Sequence, residues 1–171
     1  SAVLIDKGRE IFLATERGKA IRFDEKEIRQ MGRVARGVRG IKFSTGDKLI
    51  GMEVSDPNST VLTVTVNGFG KRSDVSKYRL QKRSGYGTIN LRIVEKNGPV
   101  IGVLQVTDDD EVMVITQAGK AIRMPAKGIS KIGRATQGVK LISVAGEERL
   151  AGVERIVALD GDDEDDADSD G

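Results

Sequence analysis

The 171 residues include no cysteine and no histidine, which removes disulfides, thiolate nucleophiles, histidine bases and most zinc sites and catalytic triads. Aromatic residues make up only 4%, so any core must be built from Val, Ile and Leu, a composition that favours strands. The formal net charge of +2 hides an asymmetry: Asp160–Gly171 holds eight of the 26 acidic residues and no basic one, leaving 28 basic residues against 18 acidic up to Leu159, a formal +10. A body that basic is the electrostatic footprint expected for a polyanion partner. No apolar run approaches the roughly eighteen residues that span a bilayer, and no charged start followed by an apolar stretch marks secretion, so a soluble, intracellular protein is expected.

In chain order, Glu10–Thr15 is a short apolar run that turns at Glu16-Arg17-Gly18 into Lys19-Ala20-Ile21-Arg22-Phe23, an alternating strand. Asp24–Gly32 is charged and reads as a connection with one helical turn. Val38–Phe43 and Lys48–Val54, joined by Ser44-Thr45-Gly46-Asp47, predict a second hairpin, and the breaker-rich Asp56-Pro57-Asn58-Ser59 closes the unit. The plan recurs in Thr60–Val66, whose turn to Lys71-Arg72-Ser73 is Asn67-Gly68-Phe69-Gly70; Asn-Gly between β-rich runs is a strong hairpin signal. Thr88–Val94 and Val100–Val106 supply the second hairpin of that unit. It recurs again in Glu111–Thr116 and Lys120–Met124, where Lys120-Ala121-Ile122-Arg123 repeats Lys19-Ala20-Ile21-Arg22 residue for residue. Val139–Val144 and Arg149–Val157 complete the third unit, and the acidic run from Asp160 is predicted to stay disordered.

Between the two hairpins of each unit lies a basic loop ending in glycine. Arg33, Arg83 and Arg134 are 50 and then 51 residues apart, and Gly37, Gly87 and Gly138 keep the same intervals. Glycine at the same place in each loop predicts a backbone turn that a Cβ would hinder. Four-stranded units of about fifty residues predict an all-β, propeller-like array of three blades, about 8–56, 57–107 and 108–159, in a domain over 1–159 followed by the acidic tail 160–171. Since propellers close with roughly four to eight blades, three imply a piece of a larger domain or assembly with another copy.

Gly37-Val38-Arg39-Gly40-Ile41, Asn67-Gly68-Phe69-Gly70-Lys71-Arg72 and Ile132-Gly133-Arg134-Ala135-Thr136-Gln137-Gly138-Val139 resemble phrases of the DNA gyrase A C-terminal domain, a β-pinwheel. Gln81-Lys82-Arg83-Ser84-Gly85-Tyr86-Gly87 is similar to that family's signature box, Gln-Arg-Arg-Gly-Gly-Lys-Gly, with Lys82, Ser84 and Tyr86 as departures. The full box belongs to an early blade of the family's six, whereas this chain resembles the last three. The resemblance implies wrapping of duplex DNA without base selection, as part of a cytoplasmic, nucleoid-associated type II topoisomerase that introduces negative supercoils with ATP. It also implies association with the remainder of gyrase A and with gyrase B in an A2B2 heterotetramer. ATP and Mg2+ would be used by the rest of that enzyme, with no catalytic residue and no cofactor in this chain.

Such wrapping needs positive side chains at equal steps around a rigid body, each releasing counterions whatever the base sequence. The predicted contacts are Arg33, Arg36, Arg39, Lys82, Arg83, Arg134 and Lys140 on the loops, followed by Lys19, Arg22, Lys71, Arg72, Lys120 and Arg123 on the hairpin beside them. Three other readings stand beside this one: the related domain of topoisomerase IV, a propeller whose arginines meet acidic proteins, and a magnesium site on Asp108, Asp109, Asp110 and Glu111.

Overall fold

The computed structural model describes residues 2–144 and 146–156. The tail predicted over 160–171 lies outside these residues. Eleven strands form: β1 (Glu10–Thr15), β2 (Lys19–Asp24), β3 (Leu49–Ser55), β4 (Thr60–Thr65), β5 (Phe69–Asp74), β6 (Thr88–Ile89), β7 (Val100–Val106), β8 (Glu111–Thr116), β9 (Ala121–Pro125), β10 (Val139–Lys140) and β11 (Leu150–Ile156). A single 3-10 turn follows β2, β5 and β9, at Glu25–Glu27, Val75–Lys77 and Ala126–Gly128. There is no α-helix among the described residues.

The first hairpin of each unit forms as its alternation predicts: β1 pairs with β2, β4 with β5 and β8 with β9, all antiparallel. The second hairpins do not form. Val38–Phe43 contains no strand, Thr88–Val94 contributes only β6, and Val139–Val144 only β10. These short strands leave their own repeat, with Thr88 opposite Ala20 and Ile89 opposite Lys19 on β2, and with Val139 opposite Gly70 and Lys140 opposite Phe69 on β5. The sheets therefore read β3-β1-β2-β6, β10-β5-β4-β7 and, among the described residues, β11-β8-β9.

Hydrogen bonds explain the exchange. Asn90 and Leu91 donate their backbone N–H groups to the Gly18 carbonyl, and Leu141 and Ile142 do the same to Gly68. Buried N–H groups need partners, and each is found on the turn of the preceding repeat. β3, β7 and β11 run side by side across the sheets, with Gly51 against Val103 and Gly102 against Val153, so they form the inner edge. β6 and β10 lie at the opposite, outer edge.

The core sits between blades. Phe12, Val61, Val75, Tyr78 and Leu91 join the first blade to the second, with the Phe12 and Tyr78 rings edge-to-face at 4.9 Å. Leu62, Val64, Val112, Ile129 and Leu150 join the second to the third. β4 is buried along its whole length, and its threonine hydroxyls are satisfied by the Val106 and Phe69 carbonyls and by Asn90.

Candidate nucleic-acid interface

The basic loops follow the 3-10 turns and run along the outer edge of the preceding blade. Gly87 and Gly138 adopt φ of 69° and 76° there, and a Cβ on either would stand 2.3 Å from the Ala20 carbonyl oxygen or 2.9 Å from that of Gly70. Gly37 has φ 75° with nothing within 4 Å of a Cβ, because no earlier blade lies beneath it. Ser84, standing where the signature box has glycine, is the one non-glycine residue at positive φ (66°) among the described residues.

The three loops are bonded to one another in the same way at each step. Arg83 donates from Nη1 to the Arg39 carbonyl and Arg134 from Nη1 to the Ile89 carbonyl, each at 3.0 Å. The Lys42 N–H donates to the Gly85 carbonyl and the Arg92 N–H to the Thr136 carbonyl, each at 2.8 Å. The loops thus form a continuous outer band. Its exposed cations are Arg33, Arg36, Arg39, Lys82 and Lys140, whose side chains have no hydrogen bond or ion pair to described residues. Arg83 and Arg134 are half-buried; Arg83 also donates from Nε to the Glu27 carbonyl, and the Arg134 guanidinium lies 5.9 Å from the centre of the Tyr78 ring. Each still has guanidinium donors not engaged by these bonds.

The hairpin residues divide. Lys19 is half-buried and Lys120 exposed. Arg22 is held by Glu10 at 2.7 Å and donates to the Val75 carbonyl at 2.8 Å. Arg72 pairs with Asp108 and donates to the Ile129 carbonyl, and Arg123 pairs with Glu111. Arg22 and Arg72 therefore bolt one blade to the 3-10 turn of the next. Lys71 has no exposed surface, its ammonium enclosed by Ser73 Oγ and two carbonyls. Lys71 and Arg72 cannot reach a phosphate, which corrects the expectation for both; their alternation looked like that of a half-exposed strand, but β5 is covered on both faces by the next repeat.

Sequence reading missed Lys42 and Arg92, both exposed and both five residues after the loop glycine. That shared spacing was a visible signal. The Lys42 ammonium lies 4.7 Å from the centre of the Tyr86 ring, which is itself half-exposed beside it. The acidic run after β7 is internally committed: Asp108 to Arg72, Asp110 to the N–H and hydroxyl of Thr107, and Glu111 to Arg123. Among the described residues no cluster of three metal-ligating side chains is present, and no helix is long and apolar enough to cross a membrane.

Residues 9–56, 59–107 and 110–156 match the family model described as the DNA gyrase C-terminal domain, beta-propeller. The chain belongs to that family. Gyrase C-terminal domains are also what it resembles at the level of whole sequences: it is 42% identical over 158 residues to the DNA gyrase A protein of Salmonella typhimurium and 40% identical over 166 residues to that of Pseudomonas aeruginosa. Those alignments cover 92% and 97% of this chain but only 18% of either relative, so the chain spans under a fifth of their length. A solved DNA gyrase A C-terminal domain superposes with a TM-score of 0.82 at 27% identity, covering 90% of this chain and 52% of the other. The C-terminal domain of DNA topoisomerase IV superposes at 0.85 with 23% identity, covering 91% and 49%, and shares the fold.

Proposed function

We propose that this chain binds duplex DNA along its outer loop band and bends it around the blades without reading base sequence. It would do so as part of a DNA gyrase A protein, within a cytoplasmic type II topoisomerase that uses ATP and also contains gyrase B. The observation that supports this reading is the repeated bonding of loop to loop, which turns once-per-repeat cations into a rigid, evenly stepped track. Bending a short duplex costs on the order of several kcal/mol, more than one loop can offset, so contacts must act in series on a scaffold that does not yield. Identities of 40% and more to gyrase A proteins favour gyrase over topoisomerase IV.

Chemistry is assigned to the rest of the enzyme, and this chain contributes shape and charge. Fluorescence anisotropy with duplexes of increasing length over a salt series tests the reading. The expected result is a steep negative slope of log affinity against log salt, about 0.9 per phosphate contacted, and tighter binding to duplexes long enough to reach all three loops. A shallow slope with no dependence on length would overturn it in favour of a protein-contact propeller.

A further inference from the structure

Lys71 projects from the middle of β5 into a site with no solvent exposure. Its three ammonium protons meet three oxygens: Ser73 Oγ at 2.7 Å, the Gly133 carbonyl at 2.9 Å and the Arg134 carbonyl at 2.7 Å. Ser73 Oγ in turn donates to the Ile132 carbonyl at 2.8 Å. One Lys-Ser pair therefore gathers three consecutive carbonyls, those that open the basic loop of the third repeat. An ammonium is all donor, and a buried one is tolerated only when each proton is bonded. That condition is met here, although burial, and to a smaller degree the Arg134 charge, pulls the Lys71 pKa down to about 7.

The second repeat's loop is held by a different device. The positions equivalent to Lys71 and Ser73 in the first repeat are Ile21 and Phe23, which have nothing to donate. There, Glu27 of the first 3-10 turn accepts the Arg83 N–H at Oε2, 2.9 Å away, while Arg83 Nε returns a bond to the Glu27 carbonyl. The equivalent of Glu27 in the second repeat is Lys77, whose charge has the wrong sign to accept an N–H. One loop is fixed by its N–H on a carboxylate, the other by its carbonyls on an ammonium.

We propose that Lys71, through Ser73 and the Gly133 and Arg134 carbonyls, is the positioning residue of the third repeat's DNA-binding loop, as Glu27 is for the second. The proposal rests on the DNA-wrapping reading. Lys71 touches no phosphate itself. It fixes the backbone from which Arg134 leaves, and the Ile89 carbonyl then fixes the guanidinium, so that Arg134 presents its remaining donors in one orientation. The sequence phrase that looked like a second row of contacts is thereby given a supporting role one layer beneath the band.

Lys71→Met, of similar length but without donors, and Glu27→Ala form the test pair. Amide hydrogen exchange on the DNA-free chain should rise by about tenfold over residues 132–138 in Lys71→Met, with 81–87 unchanged, and show the reverse pattern in Glu27→Ala. In anisotropy titrations Lys71→Met should weaken duplex binding by about three- to tenfold and make the salt slope shallower by about 1, as expected for one lost phosphate contact. Faster exchange spread over β4–β11 with an unchanged salt slope would make Lys71 a general packing residue and overturn the proposal. Should Lys71→Met not fold, the wild-type chain decides: at pH 6 a 15N-lysine spectrum should show one slowly exchanging ammonium coupled to the Gly133 and Arg134 carbonyls, and its absence would likewise overturn it. A wild-type chain that ignores duplex DNA but keeps the exchange contrast would sink the wrapping reading instead, and with it the functional half of the proposal.

Discussion

Ser84 shows how a single departure from the signature box is accommodated. A side chain at positive φ costs roughly 1 kcal/mol or more, yet Ser84 Oγ donates to the Arg39 carbonyl at 2.8 Å, and its N–H donates to the Gly40 carbonyl. Ser84→Gly trades the strain for the lost hydroxyl bond, so its melting temperature should stay close to wild type. Ser84→Ala keeps the strain and loses the bond, and should melt about 2–4 °C lower for a loss of about 1 kcal/mol, as calorimetry can read. Lys71 makes a second prediction at this scale. With its pKa lowered from 10.5 to about 7, the unfolded chain holds a proton between those values that the folded chain has released, so stability should climb with pH across that window and be lowest below it. The Tyr78 phenol, pushed up by burial, stays protonated there and does not oppose the trend. Melting curves from about pH 6 to pH 10 should show the climb in the wild type and a flatter profile in Lys71→Met.

At the level of elements, the loop glycines allow a matched comparison. Gly87→Ala adds backbone strain and drives a methyl into the Ala20 carbonyl, so it should cost more than about 2 kcal/mol. Gly37→Ala meets no neighbour and should cost about 1 kcal/mol from strain alone. Equal losses in denaturant titrations would show that the loops do not rest on the preceding blade. The repeat itself was legible because Arg33, Arg83 and Arg134 keep their spacing and because β1–β2, β4–β5 and β8–β9 alternate as hairpins do. The exchange of β6 and β10 was not legible, since Thr88-Ile89 and Val139-Lys140 are too short to show a period and their partners lie some seventy residues back, at Ala20 and Gly70. For the same reason Lys71 and Arg72 read as half-exposed. Alternation reports one covered face, and nothing local says that a distant segment closes the other.

For the whole molecule, the band makes the loops partners in one contact. Arg33→Ala, Lys82→Ala and Lys140→Ala each remove an exposed cation with no internal partner among the described residues, so each should weaken duplex binding by a similar factor, make the salt slope shallower by about 1, and combine additively. Loss of binding from one substitution alone would point to a local site. The acidic run Asp160–Gly171 lies outside the described residues, but eight carboxylates tethered to a +10 body should compete with DNA. Its deletion is expected to tighten duplex binding at low salt and to matter little at high salt. The offset between repeat and sheet has a practical outcome for dissection. A single repeat cut out at Pro57 and Thr107 would lose β10, the strand that completes its rim, and would bring along β6, which belongs to its neighbour. Shingles laid this way cannot be lifted one at a time, and a truncation series in this chain should lose folded material in steps that never coincide with the borders of the repeats.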